Sequence, residues 1–195
     1  MELSLDLNKR YTYADYLTWF DDVRRELING FIHKMSPAPR SIHADISFNI
    51  SGNLWSILKK YRRKCKVYAA PFDVRFPQNE ETKNEKIYTV VQPDICVVCD
   101  ISKIDEYGCC GAPDMIVEIL SPSTSKKDFN EKFNLYEEHG VKEYWIVHPN
   151  SKAINVFLLQ DDGKYDAGSL YERNGKIPVL VFDNHPIDLE DIFGK

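Results

Sequence analysis

The spacing of apolar and polar positions changes several times along this chain, and each change marks an element. Thr12, with Asp15 three residues on, reads as a capped start for a short helix running to about Phe20. Asn29-Gly30 then stands between the β-like runs RRELI and FIHKM, the sequence of a two-residue hairpin turn. Pro37 and Pro39 mark a loop. From Ile42 to about Tyr61, the residues Ile42, Ile46, Ile50, Leu54, Ile57, Leu58 and Tyr61 return to one broad face at about 3.6-residue spacing, which predicts a long helix.

Strand character follows in KVYAAPFDVRF and, after the charged loop QNEETKNEK, in IYTVV and PDICVVCD. GAPDMIVEIL is a short apolar run with β-branched residues, as expected of a central strand covered on both faces. Ser125, with Asp128 three residues on, begins a second helix from about Lys126 to His139, and Gly140 suits its end. VKEYWIV and AINVFLL read as strands joined through HPNSK, before a small β-rich C-terminal segment ending in IDLEDIF. The order predicts an α/β fold: a mixed β-sheet flanked by helices, with an N-terminal helix and hairpin, rather than a doubly wound sheet.

With 195 residues, no repeat and no Pro/Gly-rich linker, one domain over residues 1–195 is expected. Hydrophobic residues at 43% and charged residues at 28% describe an ordinary globular protein. No apolar run approaches the roughly 20 residues that span a bilayer, so no membrane association is expected. The N-terminus lacks a basic start followed by an apolar stretch, which points to the cytoplasm. Five cysteines, an odd count, then suggest reduced thiols. Cys96 and Cys99, followed by Cys109 and Cys110, could suggest zinc, but Cys96 and Cys99 lie three apart in a strand-like run, where side chains point to opposite faces and converge poorly on one ion. The chain has no glycine-rich phosphate loop, which disfavours a nucleotide-binding enzyme.

The formal net charge of −5 weighs against a broad phosphate-binding surface. Locally, Lys59, Lys60, Arg62, Arg63, Lys64 and Lys66 form a run without an acid. Such a run is either a solvated helix end, where cations suit the macrodipole, or a phosphate-contact patch.

The informative residues are polar ones inside apolar patterns. Glu118 interrupts PDMIVEIL, where alternation puts it on one face with Ile116 and Leu120. A carboxylate there needs a partner, a metal or a route to solvent. Asp94 opens the strand ICVV; two carboxylates a few ångströms apart would repel by about 4 kcal/mol at an effective dielectric near 20, a repulsion that a divalent cation turns into coordination. Lys132 falls inside the apolar arc of its helix, about 60° from Phe129 and between Tyr136 and Leu135. It either snorkels to water or meets an acid or anion. His43 lies in an apolar arc of the long helix, where a hydrogen-bonded core role competes with a catalytic one. Glu26 stands just before the hairpin turn.

The segments ELINGFIHKMSPAP with His43 after it, APFDVRF, VQPDICVV, GAPDMIVEILSPST and DFNEKFNLYEEHGVKEYWIVHP occur in order over nearly the whole chain. In this the chain resembles the Uma-type restriction-endonuclease family of the PD-(D/E)xK nuclease superfamily. The resemblance implies a restriction-endonuclease-like fold and metal-dependent hydrolysis of phosphodiester bonds in DNA. It assigns Asp94 and Glu118 as ligands of Mg²⁺ or Mn²⁺ and Glu26 as an acid completing the site. The superfamily lysine would stand two residues after Glu118, where this chain has Leu120; the resemblance moves that role to Lys132 on the next helix. His43 matches a recurrent histidine and is a possible accessory residue. His148 departs from the usual acid of a VDP turn. Cutting both strands of a duplex favours a homodimer. A different class, a non-catalytic nucleic-acid-binding or assembly module retaining the fold, stands as the alternative.

Overall fold

The computed structural model describes residues 3–35, 40–78, 81–121, 126–172 and 175–194, and for 126–129 the backbone only. Two mixed sheets carry the fold. The first contains β1 (Arg25–Ile28), β2 (Phe31–Lys34), β4 (Val74–Arg75), β5 (Val90–Val91), β7 (Ile104–Asp105) and β8 (Gly108–Cys110), in the order β2-β1-β5-β4-β8-β7. The second contains β3 (Lys66–Ala69), β6 (Ile95–Val98), β9 (Met115–Ile119), β10 (Glu143–His148), β11 (Ala153–Leu158) and β12 (Ser169–Glu172), in the order β12-β11-β10-β9-β6-β3. Within it β9 and β10 run parallel, and the other pairs are antiparallel. The hairpin β13 (Lys176–Val179) and β14 (His185–Asp188) follows.

Helices α2 (Ser41–Lys60) and α3 (Lys126–Glu138) cover opposite faces of the second sheet. Ile46, Ile50, Leu54 and Leu58 of α2 pack with Val97, Met115, Val117 and Trp145. Leu135 and Tyr136 of α3 pack with Val98, Ile116, Tyr144 and Ile146. Strand alternation therefore sends Met115, Val117 and Ile119 of β9 towards α2, and Ile116 and Glu118 towards α3. Cover on both faces explains why β9 reads as a nearly unbroken apolar run.

The predicted mixed sheet with flanking helices is present, divided into two sheets. Asn29 and Gly30 adopt φ of 53° and 86°, as the tight turn between β1 and β2 requires. Gly140, at φ 80°, ends α3. Thr12 and Asp15 make the predicted capping box, but α1 is only Tyr13–Tyr16. KVYAAPFDVRF is two strands in different sheets, because Pro71 has no N–H to extend a ladder. The end of IDLEDIF is a helix, α4 (Leu189–Phe193), whose Leu189 and Ile192 are buried at helical spacing. The expectation of reduced thiols fails for Cys65 and Cys99, which form a disulfide. They occupy the next positions beyond the pair Lys66↔Val98 of β3 and β6, so the ladder brings them together. Cys96, Cys109 and Cys110 are free thiols. The loop at Pro37 and Pro39, the cap at Ser125 and the side chains of Asp128 and Phe129 lie outside the described residues. No helix among the described residues is long and apolar enough to cross a membrane.

Candidate active site

The antiparallel register of β6 and β9 pairs Ile95 with Val117. One position further, the same register sets Asp94 opposite Glu118, with both side chains on the α3 face. Asp94 Oδ2 accepts a hydrogen bond of 2.7 Å from the Ile119 N–H, which fixes its orientation. His43, in the first turn of α2, reaches the same oxygen with Nε2 at 3.2 Å. Glu26 comes from β1 in the other sheet and is 5% exposed. Its Oε1 accepts 2.8 Å from the backbone N–H of Gln92, in the segment connecting β5 to β6.

Lys132 closes the cluster from α3. Its Nζ lies 3.0 Å from Glu26 Oε1 and 2.9 Å from Glu118 Oε1. Tyr136, one turn further along α3, donates to the same Glu118 oxygen at 2.7 Å. Among the described residues, no hydrogen bond engages Glu118 Oε2 or Asp94 Oδ1. The sequence thus offered Asp94, Glu118, Lys132, Glu26 and His43, and the fold brings all five together.

Burial raises the Glu118 carboxyl to about 7; the Lys132 charge opposes this, while Asp94 and Glu26 add to it. For Lys132, burial disfavours the charge, but Glu118 and Glu26 outweigh it and hold the proton more firmly than usual. The hydrogen bond to Asp94 raises His43, against the effect of burial. Burial, followed by the Glu118 and Glu26 charges, keeps Tyr136 a phenol.

Tyr136 and Gln92 join the site without having been singled out. Tyr136 is on the arc of Lys132, and a buried hydroxyl needs a partner; that was its available signal. Gln92 gives no such signal, since its backbone N–H makes the contact to Glu26. Its side chain donates to Asp73 Oδ1 at 2.8 Å and accepts from Arg24, beside a cavity of about 260 Å³ bordered by Tyr16 and Trp19. Leu120 packs in the apolar cluster under α3 and supplies no charge. His148 bonds Asn155 across the β10–β11 pair, apart from the cluster.

The basic run is not part of this group within one chain. Lys59 and Lys60 end α2, about 25 Å along the axis from His43. They lie over the rings of Trp55 and Tyr61, respectively, and Arg63 pairs with Asp183. Arg62 is exposed at positive φ just beyond the helix.

The sequence model of the Uma2 family, described as "Putative restriction endonuclease", matches residues 13–185. The uncharacterized protein slr1290 of Synechocystis sp. is 27% identical over 154 residues, covering 77% of this chain and 75% of its own. The crystal structure of a "putative nuclease belonging to DUF820" from Anabaena variabilis has a TM-score of 0.71 at 22% identity, covering 94% of this chain and 97% of that one. That likeness establishes the shared fold, and the match over residues 13–185 establishes the family: the chain belongs to Uma2, the family of putative restriction endonucleases.

Proposed function

We propose that this protein is a metal-dependent endonuclease that hydrolyses phosphodiester bonds in DNA. The observation carrying this reading is the Lys132 ammonium clamped between Glu26 and Glu118, with Asp94 across the strand pair from Glu118. A structural ion pair needs one acid; here three acids and a cation gather at a strand end.

Asp94 and Glu118 would hold Mg²⁺ or Mn²⁺ through their uncommitted oxygens. Among the described residues, no group of three or more His, Cys, Asp or Glu side chains is arranged to hold an ion alone. The two acids nevertheless fit Mg²⁺, which takes one or two carboxylates and completes its shell with water and substrate phosphate. When bound, such an ion activates water and polarises the phosphoryl oxygen.

The protein's own residues provide the rest. Lys132 stays charged and presents an ammonium to the charge developing on the phosphoryl group. Glu26, held by the Gln92 N–H, keeps Lys132 in place when Glu118 engages an ion. Tyr136 orients Glu118, and His43 with the Ile119 N–H orients Asp94. The other reading, a non-catalytic nucleic-acid-binding or assembly module, draws support from the acidic balance of −5. Cleavage of supercoiled plasmid, with added Mg²⁺ and with a chelator, separates the two. The nuclease nicks or linearises the plasmid only with metal, whereas the module leaves it intact in both.

A further inference from the structure

Helix α2 buries one face in the core and leaves a second, patterned face outside. Ser41, Asp45, Phe48, Gly52, Trp55 and Lys59 follow one another in steps of four and three, and all are exposed. This is the spacing of a helix seam that packs against another helix. At its centre, Phe48 is 78% and Trp55 56% exposed. Gly52 lies between them. A glycine inside an exposed helix weakens it by about 1 kcal/mol relative to alanine. Its own fold does not require it: a Cβ added there would meet nothing within 4 Å. Its absence allows another backbone to approach closely.

We infer that this seam is a homodimer interface, in which a second copy packs its α2 antiparallel across a two-fold axis at Gly52. The charges select this arrangement. Asp45 and Lys59 stand seven positions on either side of Gly52. An antiparallel pair sets each Asp45 beside the partner's Lys59, and each Phe48 beside the partner's Trp55 and Ser56. A parallel pair would oppose like with like. Lys59 already leans over the Trp55 ring at 5.2 Å, on the outer face where such a pair would form.

The arrangement has a consequence for the basic run, and this part alone rests on the nuclease reading. In an antiparallel pair, the partner's Lys59, Lys60, Arg62 and Arg63 come level with residues 41–45 of this chain. That is the end of α2 from which His43 meets Asp94. The run that is remote within one chain thus lies at the His43 end of the other's α2, on the side of that helix away from His43, where Lys60 and Arg62 meet the flanking backbone of a duplex bound at the acid cluster. The two His43 residues are about 27 Å apart along the helices.

Sedimentation velocity on the full chain tests the interface. Wild type should sediment as a dimer. Gly52→Glu puts two carboxylates on the axis and should weaken dimerisation by about a hundredfold or more. Because its side chain meets nothing in its own fold and glutamate favours helix, thermal melts at concentrations where both proteins are monomeric should show an intact variant at least as stable as wild type. Asp45→Lys should weaken the dimer, and the double variant Asp45→Lys/Lys59→Asp should restore it. A monomeric wild type, a Gly52→Glu variant as dimeric as wild type, or a charge reversal that restores nothing would overturn the interface. Duplex affinity without metal tests the trans placement separately: it should fall in Gly52→Glu. A lost dimer with unchanged affinity would refute that placement while leaving the interface standing. Neither result depends on whether plasmid is cut.

Discussion

Lys132 Nζ lies 2.9 Å from Glu118 Oε1, bringing a helix residue onto a strand carboxylate fourteen positions earlier in the chain. The pair sets a positive charge against the Glu118 carboxylate from the helix rather than from the strand that carries it. Leu120, two residues after Glu118, is packed in the apolar cluster and brings no charge, so the proposed mechanism takes its cation from Lys132. Lys132→Met keeps the packing stem and deletes the charge. Cleavage should fall by about a hundredfold or more, the scale of losing an electrostatic stabiliser. Stability should also fall, by about 3–5 kcal/mol above neutral pH, because two buried carboxylates lose their counter-charge. Chemical denaturation, which should show a smaller loss at acid pH where the acids are protonated, checks this.

Metal binding follows the Glu118 carboxyl. An ion competes with the proton, so affinity for Mg²⁺ or Mn²⁺ should rise with pH up to about 7 and level off above it. Calorimetric titrations at several pH values would show this. Asp94→Asn should weaken binding at every pH, and equal binding by variant and wild type would remove Asp94 from the ligand set.

Glu143 provides a pH effect away from the site. It is fully buried in β10, accepting hydrogen bonds from Trp145 Nε1 at 2.8 Å and the Val181 N–H at 3.0 Å. Burial outweighs these donors and raises its carboxyl to about 7. The folded state then binds more protons than the unfolded state between about pH 4.5 and 7. Its contribution is fully present below that window and is lost as pH rises through it, by up to roughly 3 kcal/mol. Denaturation midpoints of the metal-free protein should decline across that window. Glu143→Gln should flatten the decline.

Tyr136→Phe removes one donor from Glu118 and little else. The expected loss of stability is about 1 kcal/mol. The loss of that hydrogen bond to the carboxylate should also move the rising limb of the cleavage–pH profile to higher pH. A profile identical to wild type would reduce Tyr136 to packing.

Local rules made part of this architecture readable. Asn29-Gly30 fixes a turn by its own backbone preferences, and α2 announces itself by an apolar face repeated over five turns. Lys132 and Glu118 stood out because each violates the pattern around it. Other features depend on partners far away in sequence. β7 and β8 contain only two and three residues, too few for a period to emerge. Pro71 divides an apparently continuous strand between two sheets. Cys65 and Cys99 look unrelated until β3 and β6 align them. Glu26 was an ordinary hairpin residue until the Gln92 segment and α3 closed over it.

The central claim is that this acid–lysine cluster cuts DNA with a bound metal. The most direct measurement is the rate of supercoiled-plasmid cleavage with Mg²⁺ or Mn²⁺, comparing wild type with a folded Glu118→Ala variant. The account predicts metal-dependent cleavage by wild type and a loss of about a hundredfold or more in the variant. Wild type that leaves the plasmid intact with either metal, or a Glu118→Ala variant cutting at the wild-type rate, would contradict it.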